Sequence, residues 1–578
     1  PFEPKLISPP EKPSAPVEVT PTTFDPPDIN FKGKGFFQHA HIDISRGNGL
    51  SYGPNQGKWK GIVIQNYDTY NTVDKNNDTV EGIINIEVGN LADGKKAKWW
   101  GSNLDGTANS NIQLKVHTDV PKTAEGGYNF YGPGDFYLDD GSTTVPLYTF
   151  INELRDHNAT ISGNYIMTNK GGENDTSRNV IFLSHNPAGP GTPGYDGKNT
   201  AGPRTATFNG TLTLNGTHNH FTGNTASSDV TIGVEHQLYS RGHKKSYSIF
   251  DNRGTINLAS GNNLVGILMD VESWDGEDRL SHKTINSGKI IVNSQNSIGI
   301  DYGEYYNLIF KSDLTIGNVT VRGTNNYGLR MANIFSGNAA YFDKGVTIKS
   351  GGADKKILVE GTENVGVSIA KFLSATKNSN PIANISDLNI EVAGQKNIGF
   401  LRHKTYANNS GDMIFDPNIM GTFTFGNGAK NSTLIRTDKY GIQVKKDITA
   451  TGKDNAGKDF TGSGNTVLHS NGETQHIYNY NTITVGSGFV KTVGMAATGS
   501  VNSSIVNILN EGTISLQGKK SIGMYVDKFT QGKSIGTIKL SGENENVGIS
   551  NKGKFTLSGI LEVNGKKSSG IYNTGETT

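Results

Sequence analysis

No cysteine occurs among the 578 residues. Disulfide frameworks, thiol nucleophiles and thiolate metal sites are therefore excluded. A chain threaded unfolded through an outer-membrane pore gains from lacking bridges that would obstruct it, so the absence permits export. Charge is also sparse. Asp, Glu, Lys and Arg make up 19% of the residues and the formal net charge is +1. No Lys/Arg-rich stripe shows along the sequence, which argues against nucleic acid as a partner and against bulk-charge binding to anionic membranes. No run of about 18 apolar residues is present, so no membrane-spanning helix is expected. Pro1 is not followed by a charged-then-apolar leader. The chain reads as a processed fragment, with its repeat expected to continue past Thr578.

Glycine is abundant, 74 residues or about 13% against a usual ~7%. Proline is concentrated: nine of 19 fall within residues 1–30, a composition that favours a polyproline-like strap or a loose tail over core. From Gly61 short alternating runs appear, such as Ile84-Asn-Ile-Glu-Val88, Ile112-Gln-Leu-Lys-Val116 and Thr211-Leu-Thr-Leu214, between Asn/Gly/Asp turns. Period-two alternation between turn residues predicts strands with one buried face. One helix is expected near 147–157, because Leu147, Phe150, Ile151 and Leu154 recur at helical spacing after Pro146. Weaker helical patterns lie near Ile334 and Val365.

From about residue 250 a unit recurs: an Asn-x-Gly-like turn, a β run, a polar turn, then an apolar residue, Gly and another apolar residue. Asn252-Arg-Gly-Thr-Ile-Asn-Leu258 leads to Val265-Gly-Ile267, and Glu511-Gly-Thr-Ile-Ser-Leu516 leads to Ile522-Gly-Met524. Ten anchor glycines follow this rule: Gly266, Gly299, Gly328, Gly366, Gly399, Gly441, Gly494, Gly523, Gly548 and Gly570. The residue after each is apolar. Spacings run from 22 to 53 residues, in the range of solenoids; the shortest fits one turn per unit and the longest needs an insertion or an extra turn. One unit alone is too poor in apolar residues to form a core. Stacked strand on strand at ~4.8 Å, the units bury a continuous column and pair every backbone amide. Asn326, Asn364, Asn397 and Asn546, at equivalent approaches to the glycines, are positioned to form hydrogen-bonded corner ladders.

The expected fold is all-β, a right-handed parallel β-helix or solenoid with an N-terminal cap and loop excursions. Three regions are expected: a Pro-rich segment at 1–30; a β-helical tip or cap at 31–250 with excursions at 94–145 and 183–205; and regular repeats at 251–578.

The repeat, the absence of cysteine and the opening Phe24-Asp-Pro-Pro-Asp-Ile-Asn-Phe31 together resemble the N-terminal passenger of large fusobacterial type V autotransporter adhesins. That family includes arginine-inhibitable and galactose-inhibitable members. The resemblance implies a cell-surface, extracellular passenger, anchored in the outer membrane by a C-terminal β-barrel that this sequence does not contain. It also implies partners such as host-cell glycans (galactose or N-acetylgalactosamine), protein receptors including those of immune cells, and other bacteria. A monomer is expected.

Candidate binding residues cluster in 94–145, where Trp99, Trp100, Tyr128, Tyr131 and Tyr137 combine aromatic faces with Asp135, Asp139 and Asp140. Such faces stack on the C–H patches of sugar rings while carboxylates take hydroxyls. The same aromatics would also serve as a cap over the end of the column. Trp274 and Asp275 form a second aromatic and acidic loop.

Metal and cofactor signals are poor. Asp74-x-Asn76-x-Asp78 opens like a calcium loop, but Thr79 stands where the sharp-turn glycine belongs. His39-x-His41 lacks a third ligand. No nucleophile elbow or phosphate-binding loop is present, so no catalytic residue and no cofactor are assigned. The leading expectation is an adhesin that holds polar, aromatic loops away from the cell. The alternatives are a glycan-degrading β-helix enzyme, with acidic residues gathered in a groove along one face, and a purely structural stalk.

Overall fold

The structure, a computed structural model, describes Pro21, residues 24–27, strand backbones between Ile62 and His185, and residues 204–578 apart from several segments. Those segments are 217–230, 241–245, 274–279, 306–309, 335–345, 370–382, 405–411 and 417–419. Among the described residues the chain is all-β, with no helix and six sheets whose strand pairings are parallel. It is a parallel β-helix. Two compact units divide it. The upstream unit comprises Asp25–Asn389 and Thr405–Asn409; the downstream unit comprises Pro1–Phe24, Ile390–Lys404 and Ser410–Thr578.

In the upstream unit each coil contributes one strand to each of three sheets. Thr231–Ser240 lies on the first, Ser246–Asn252 on the second and Thr255–Ser260 on the third, and Leu264–Ser273 then returns to the first. The return strand pairs in register, Val234 beside Ile267. The downstream unit repeats the pattern with Val493–Thr498, Ile508–Asn510, Thr513–Leu516 and then Ile522–Val526.

The residues after the glycines form the inward column. Ile267, Ile300 and Leu329 in one unit, and Phe400, Met495, Met524 and Ile549 in the other, are fully buried. They meet alternate residues of the third sheet, such as Ile256 and Leu258, or Ile514 and Leu516, which are buried to the same degree. Val493, Ile522 and Val547, which precede glycines, gather instead with Ala496 in a second cluster backed by Tyr525 and Tyr572.

Stacking explains the glycines. A Cβ on Gly523 would lie 2.5 Å from the Gly548 carbonyl oxygen and 2.4 Å from Ile538 Cγ2, so no side chain fits between the coils. Nine of the ten anchors lie on first-sheet strands; Gly441 lies on a second-sheet strand, Gly441–Val444. The in-register neighbours at the skipped steps are Leu434 and Val467, flanked by the pairs Phe400 with Ile435 and Ile435 with Leu468. Extra coils thus fill the long spacing. Gly233, between Ile232 and Val234, is a further anchor upstream, where a Cβ would lie 2.7 Å from the Gly266 carbonyl.

The corner before each first-sheet strand carries the expected polar ladder. The Ser297 amide donates to Asn326 Oδ1 (2.9 Å), and the Asn326 amide to Asn364 Oδ1 (2.8 Å). Downstream, the Asn397 amide donates to Ser432 Oγ (3.0 Å), the Ser521 amide to Asn546 Oδ1 (3.1 Å) and the Asn546 amide to Ser568 Oγ (3.0 Å). A second ladder runs at the turns that precede third-sheet strands, where Asn252 Nδ2 donates to Asn286 Oδ1 (2.7 Å) and Asn479 Nδ2 to Asn510 Oδ1 (2.9 Å). These ladders pair buried amides of one coil with side-chain oxygens of the next, as buried backbone amides require.

The helical expectations are corrected. Tyr148–Glu153 is a strand, with Phe150 in register with Ile62 on one side and Ile181 on the other. Its β-branched and aromatic run, Tyr-Thr-Phe-Ile, suits a pleated surface, and pairing on both edges overrides a helical spacing only eight residues long. The patterns near Ile334 and Val365 are likewise strands, Tyr327–Ile334 and Val365–Ile369.

Gly523→Ala should destabilise the downstream unit by ~1–3 kcal/mol through overpacking against backbone. Gly428→Ala, at φ +80° with nothing within 4 Å, should cost only the left-handed backbone strain of about 1 kcal/mol. Hydrogen exchange in Val493–Thr498 and Val547–Asn551 should accelerate in the first variant alone; equal acceleration in both would contradict the stacking argument.

Candidate functional site

Every binding residue expected from the sequence lies outside the described residues: Trp99, Trp100, Tyr128, Tyr131, Asp135, Tyr137, Asp139 and Asp140, and also Trp274 and Asp275. The flanking strands fix where the chain leaves the coils. It leaves the third sheet at Val88 and rejoins the first at Tyr148, so residues 94–145 fall within the connection between those two strands. It leaves the first sheet at Ser273 and rejoins the second at Leu280, so Trp274 and Asp275 belong to a connection of a different kind, between a first-sheet and a second-sheet strand. Residues 183–205 overlap two strands, Arg178–His185 and Arg204–Phe208, and the interval between them is a connection of that second kind.

Among the described residues, the richest partly exposed chemistry lies on the second sheet of the downstream unit. Met413–Phe415, Gly441–Val444 and His476–Asn479 run side by side there. Met413, Ile442 and Ile477 occupy one register row. Ile442 and Ile477 are buried, and the alternating row Ile414, Gln443, Tyr478, Leu509 faces the other way. Asp412, one residue ahead, meets His476 at 2.8 Å between Oδ1 and Nε2, and Gln443 Nε2 donates to its Oδ2 at 2.7 Å. The imidazole lies over the Tyr478 ring with centroids 4.5 Å apart. A Cβ on Gly441 would overlap both the Asp412 carboxylate and the His476 ring, so glycine there is a condition of their contact.

Behind this ledge sits Arg402, whose Nη1 donates to the Gly441 carbonyl and whose guanidinium lies 5.1 Å from the Tyr440 ring centroid. Burial pushes the Arg402 pKa down to about 10, against the opposing pull of Asp412. Burial on its own would raise the Asp412 pKa, but hydrogen bonds from His476 and Gln443, with the charges of His476 and Arg402, hold it below its ordinary value. Tyr478 and Tyr480 are pushed up, first by burial and then by nearby carboxylates. Tyr440 itself adopts φ +63°, a left-handed conformation unusual for a bulky residue.

The arrangement offers a flat aromatic face, a carboxylate and an amide side by side, which is chemistry for holding a polar ligand. An imidazole oriented by a carboxylate is also half of an acid–base pair. Glycoside hydrolysis, however, needs a second carboxyl group about 5–9 Å from the first, and among the described residues no three His, Asp or Glu side chains gather as a potential metal-binding group. The sequence reading missed this cluster because Asp412 and His476 are two coils apart, and no local motif signals the register that joins them.

Other polar groups are structural. Arg330 grips Asp301 through Nε (3.1 Å) and Nη2 (2.8 Å), with both side chains buried. Arg436, also buried, holds Asp438 and donates from Nη1 to the Phe24 carbonyl at 2.8 Å. In the upstream unit Tyr327 Oη donates to the Pro27 carbonyl. Parts of the Pro-rich segment are thereby tied down. His469 is fully buried, with Nε2 2.8 Å from Thr498 Oγ1.

Compared with protein-family models, curated proteins and solved structures, the chain matches none.

Burial, and then the charge of Arg436, hold the His469 pKa well below its ordinary 6.5. The unfolded chain therefore takes this proton first. The contribution of His469 to stability is complete above pH 6.5 and is lost as pH falls from there toward its folded value. Denaturation at stepped pH should show a slope of ~1.4 kcal/mol per pH unit from this group, and His469→Gln should lack it. An unchanged slope in the variant would mean the imidazole is charged in the folded protein.

Proposed function

We propose that this chain is the extracellular β-helical passenger of a bacterial surface adhesin, attaching through chain segments inserted between its coils. The observation that carries the reading is where those insertions fall. In the upstream unit, connections from first-sheet to second-sheet strands vary from residues 306–309 to residues 186–203, always at the same corner of successive coils. Connections from third-sheet to first-sheet strands vary as well, from three residues between Ser260 and Leu264 to residues 89–147 between Val88 and Tyr148. A scaffold that holds its strand register constant while connection length varies at two of its turns is suited to display, because surface loops change without disturbing the packing beneath. The absence of cysteine and the resemblance to autotransporter passengers support placement outside the cell, with anchorage through a C-terminal barrel.

The aromatic and carboxylate residues of 94–145, together with Trp274 and Asp275, are the proposed contact groups. Host-cell glycans, protein receptors and other bacteria are the proposed partners. No enzymatic activity and no cofactor are proposed. A glycan-degrading enzyme is the second reading, favoured only by the Asp412–His476 pair.

Replacing residues 94–145 by a short turn, and separately replacing Trp274 and Asp275 by alanine, should reduce attachment to partner cells and to a glycan array several-fold. Free galactose and free arginine serve as competitors, and circular dichroism should show the β signal retained. Full attachment by both variants would reject contact through these segments. Release of reducing sugar from the arrayed glycans, abolished by Asp412→Asn, would favour the enzyme.

A further inference from the structure

The corner that precedes each first-sheet strand has two consecutive positions per coil just ahead of the ladder position, which is Asn, Ser or Thr in every described coil but that of Leu264. The second of them is held in the left-handed region. In the upstream unit the left-handed position is occupied by Asn263 (φ 62°), Asn296 (46°), Asn325 (58°) and Glu363 (57°). Asparagine suits that conformation because its short side chain tolerates positive φ. The residues before them are Asn262, Gln295, Thr324 and Thr362, joined coil to coil as bridge partners. No lysine is found at these upstream positions.

The downstream unit uses the same corner differently. Its left-handed positions include Lys396 (φ 54°), Lys491 (54°), Lys520 (58°) and Lys567 (55°), and the positions before them include Lys430, Lys519 and Lys566. Lysine has no intrinsic preference for left-handed backbone, so its repeated use where asparagine serves upstream calls for a reason other than the turn. Backbone bonds hold the row in rank. The Lys396 amide donates to the Lys430 carbonyl (2.8 Å), Lys491 to Lys519 (3.0 Å), Lys520 to Asn544 (3.0 Å) and Glu545 to Lys566 (2.8 Å).

Over the seven downstream coils these two positions hold seven lysines and one carboxylate, Glu545. Lys430, Lys519, Lys566 and Lys567 are exposed, and Lys396, Lys491 and Lys520 are half-buried. Lys520 Nζ lies 2.8 Å from Glu545 Oε2. The Glu545 pKa is held below its ordinary value first by that hydrogen bond, and also by the charges of Lys520, Lys567 and Lys519, so several ammonium groups converge on one carboxylate. With successive coils ~4.8 Å apart, the row extends about 29 Å along the unit. The linear sequence shows no such stripe, because its members are brought together only by the coil repeat.

We propose that this lysine row is a binding edge for a linear sulfated polysaccharide of the glycosaminoglycan class, lying lengthwise along the corner of the downstream unit. Lysine fills both positions at Lys519 with Lys520 and at Lys566 with Lys567, and single lysines at Lys396, Lys430 and Lys491 extend the row past the uncharged coil of Ser463 and Gly464. A narrow row of this kind fits a single extended chain whose anionic groups recur along its length. Base stacking would require aromatics interleaved with the lysines, and these positions hold none. The proposal deepens the attachment reading by naming a partner class, and rests on that reading for its extracellular setting.

The test uses the 578-residue chain on immobilised heparin, in a salt series, with desulfated heparin and single-stranded DNA as comparison probes. The wild type should bind heparin and release it with rising salt, and should bind both other probes weakly. Lys519→Gln, Lys520→Gln, Lys566→Gln and Lys567→Gln combined should weaken heparin binding by about tenfold or more. A control with the same loss of charge, Lys528→Gln, Lys533→Gln, Lys539→Gln and Lys554→Gln combined, should stay within about twofold. Thermal unfolding should be unaltered in both. Failure to bind heparin, equal losses in the two variants, or equally tight binding of DNA would each overturn the proposal. Loss of heparin binding in the stripe variant with cell attachment through the inserted segments retained separates this edge from those segments. Loss of attachment on removing the segments, with no heparin binding by the wild type, would reject the edge alone.

Discussion

In-register parallel stacking is the constraint on which the rest depends. When every residue sits beside its equivalent on the next coil, any choice at one position is repeated against itself, and mistakes accumulate along the unit. Apolar residues at the inward positions become continuous columns, as Ile256, Ile290 and Val319 do on the third sheet of the upstream unit. Polar residues at the corners have to satisfy each other from coil to coil. Asn326 and Asn546 are fully buried, yet each amide hydrogen and each side-chain oxygen reaches a neighbouring coil. Where the backbone itself is the neighbour, as at Gly523 and Gly548, only glycine is small enough.

The same constraint explains how much of this was legible in the sequence. The inward column and the corner asparagines recur at fixed offsets from a glycine, so a repeat of imperfect length still revealed a stacked fold. Gly441 was misassigned because a local apolar-Gly-apolar pattern does not report which sheet it occupies; its neighbour Tyr440 is left-handed (φ 63°), whereas no residue before a first-sheet anchor is. Leu434 and Val467 hid two coils because they carry the register without the glycine. Tyr148–Glu153 shows the limit of periodicity. Eight residues satisfy a helical spacing and a strand composition equally well, and only the partners at Ile62 and Ile181 decide between them.

Sites are harder to read than the scaffold because they are made between coils. Asp412 and His476 meet although their sequence neighbours give no sign of it, and the lysines of the downstream corner form a row only once the coils are laid on one another. Length-variable connections were legible as breaks in the repeat, and the flanking strands show that they leave from particular corners. Function in such a protein is therefore divided between groups that the coil repeat aligns and segments that it merely carries. The first are fixed in spacing by the backbone and suit extended or flat ligands. The second are free to differ from coil to coil.

The most direct measurement of the stacking claim uses the absence of native cysteine. Ser515 and Lys539 are register partners on adjacent third-sheet strands, and Glu562 is the partner of Lys539 one coil further on. Disulfides close only when Cα atoms are within about 7 Å. Mild oxidation should rapidly join the cysteines of a Ser515→Cys, Lys539→Cys protein and leave those of a Ser515→Cys, Glu562→Cys protein free. Closure of the second pair in preference to the first, or of neither, would contradict coils stacked in this register.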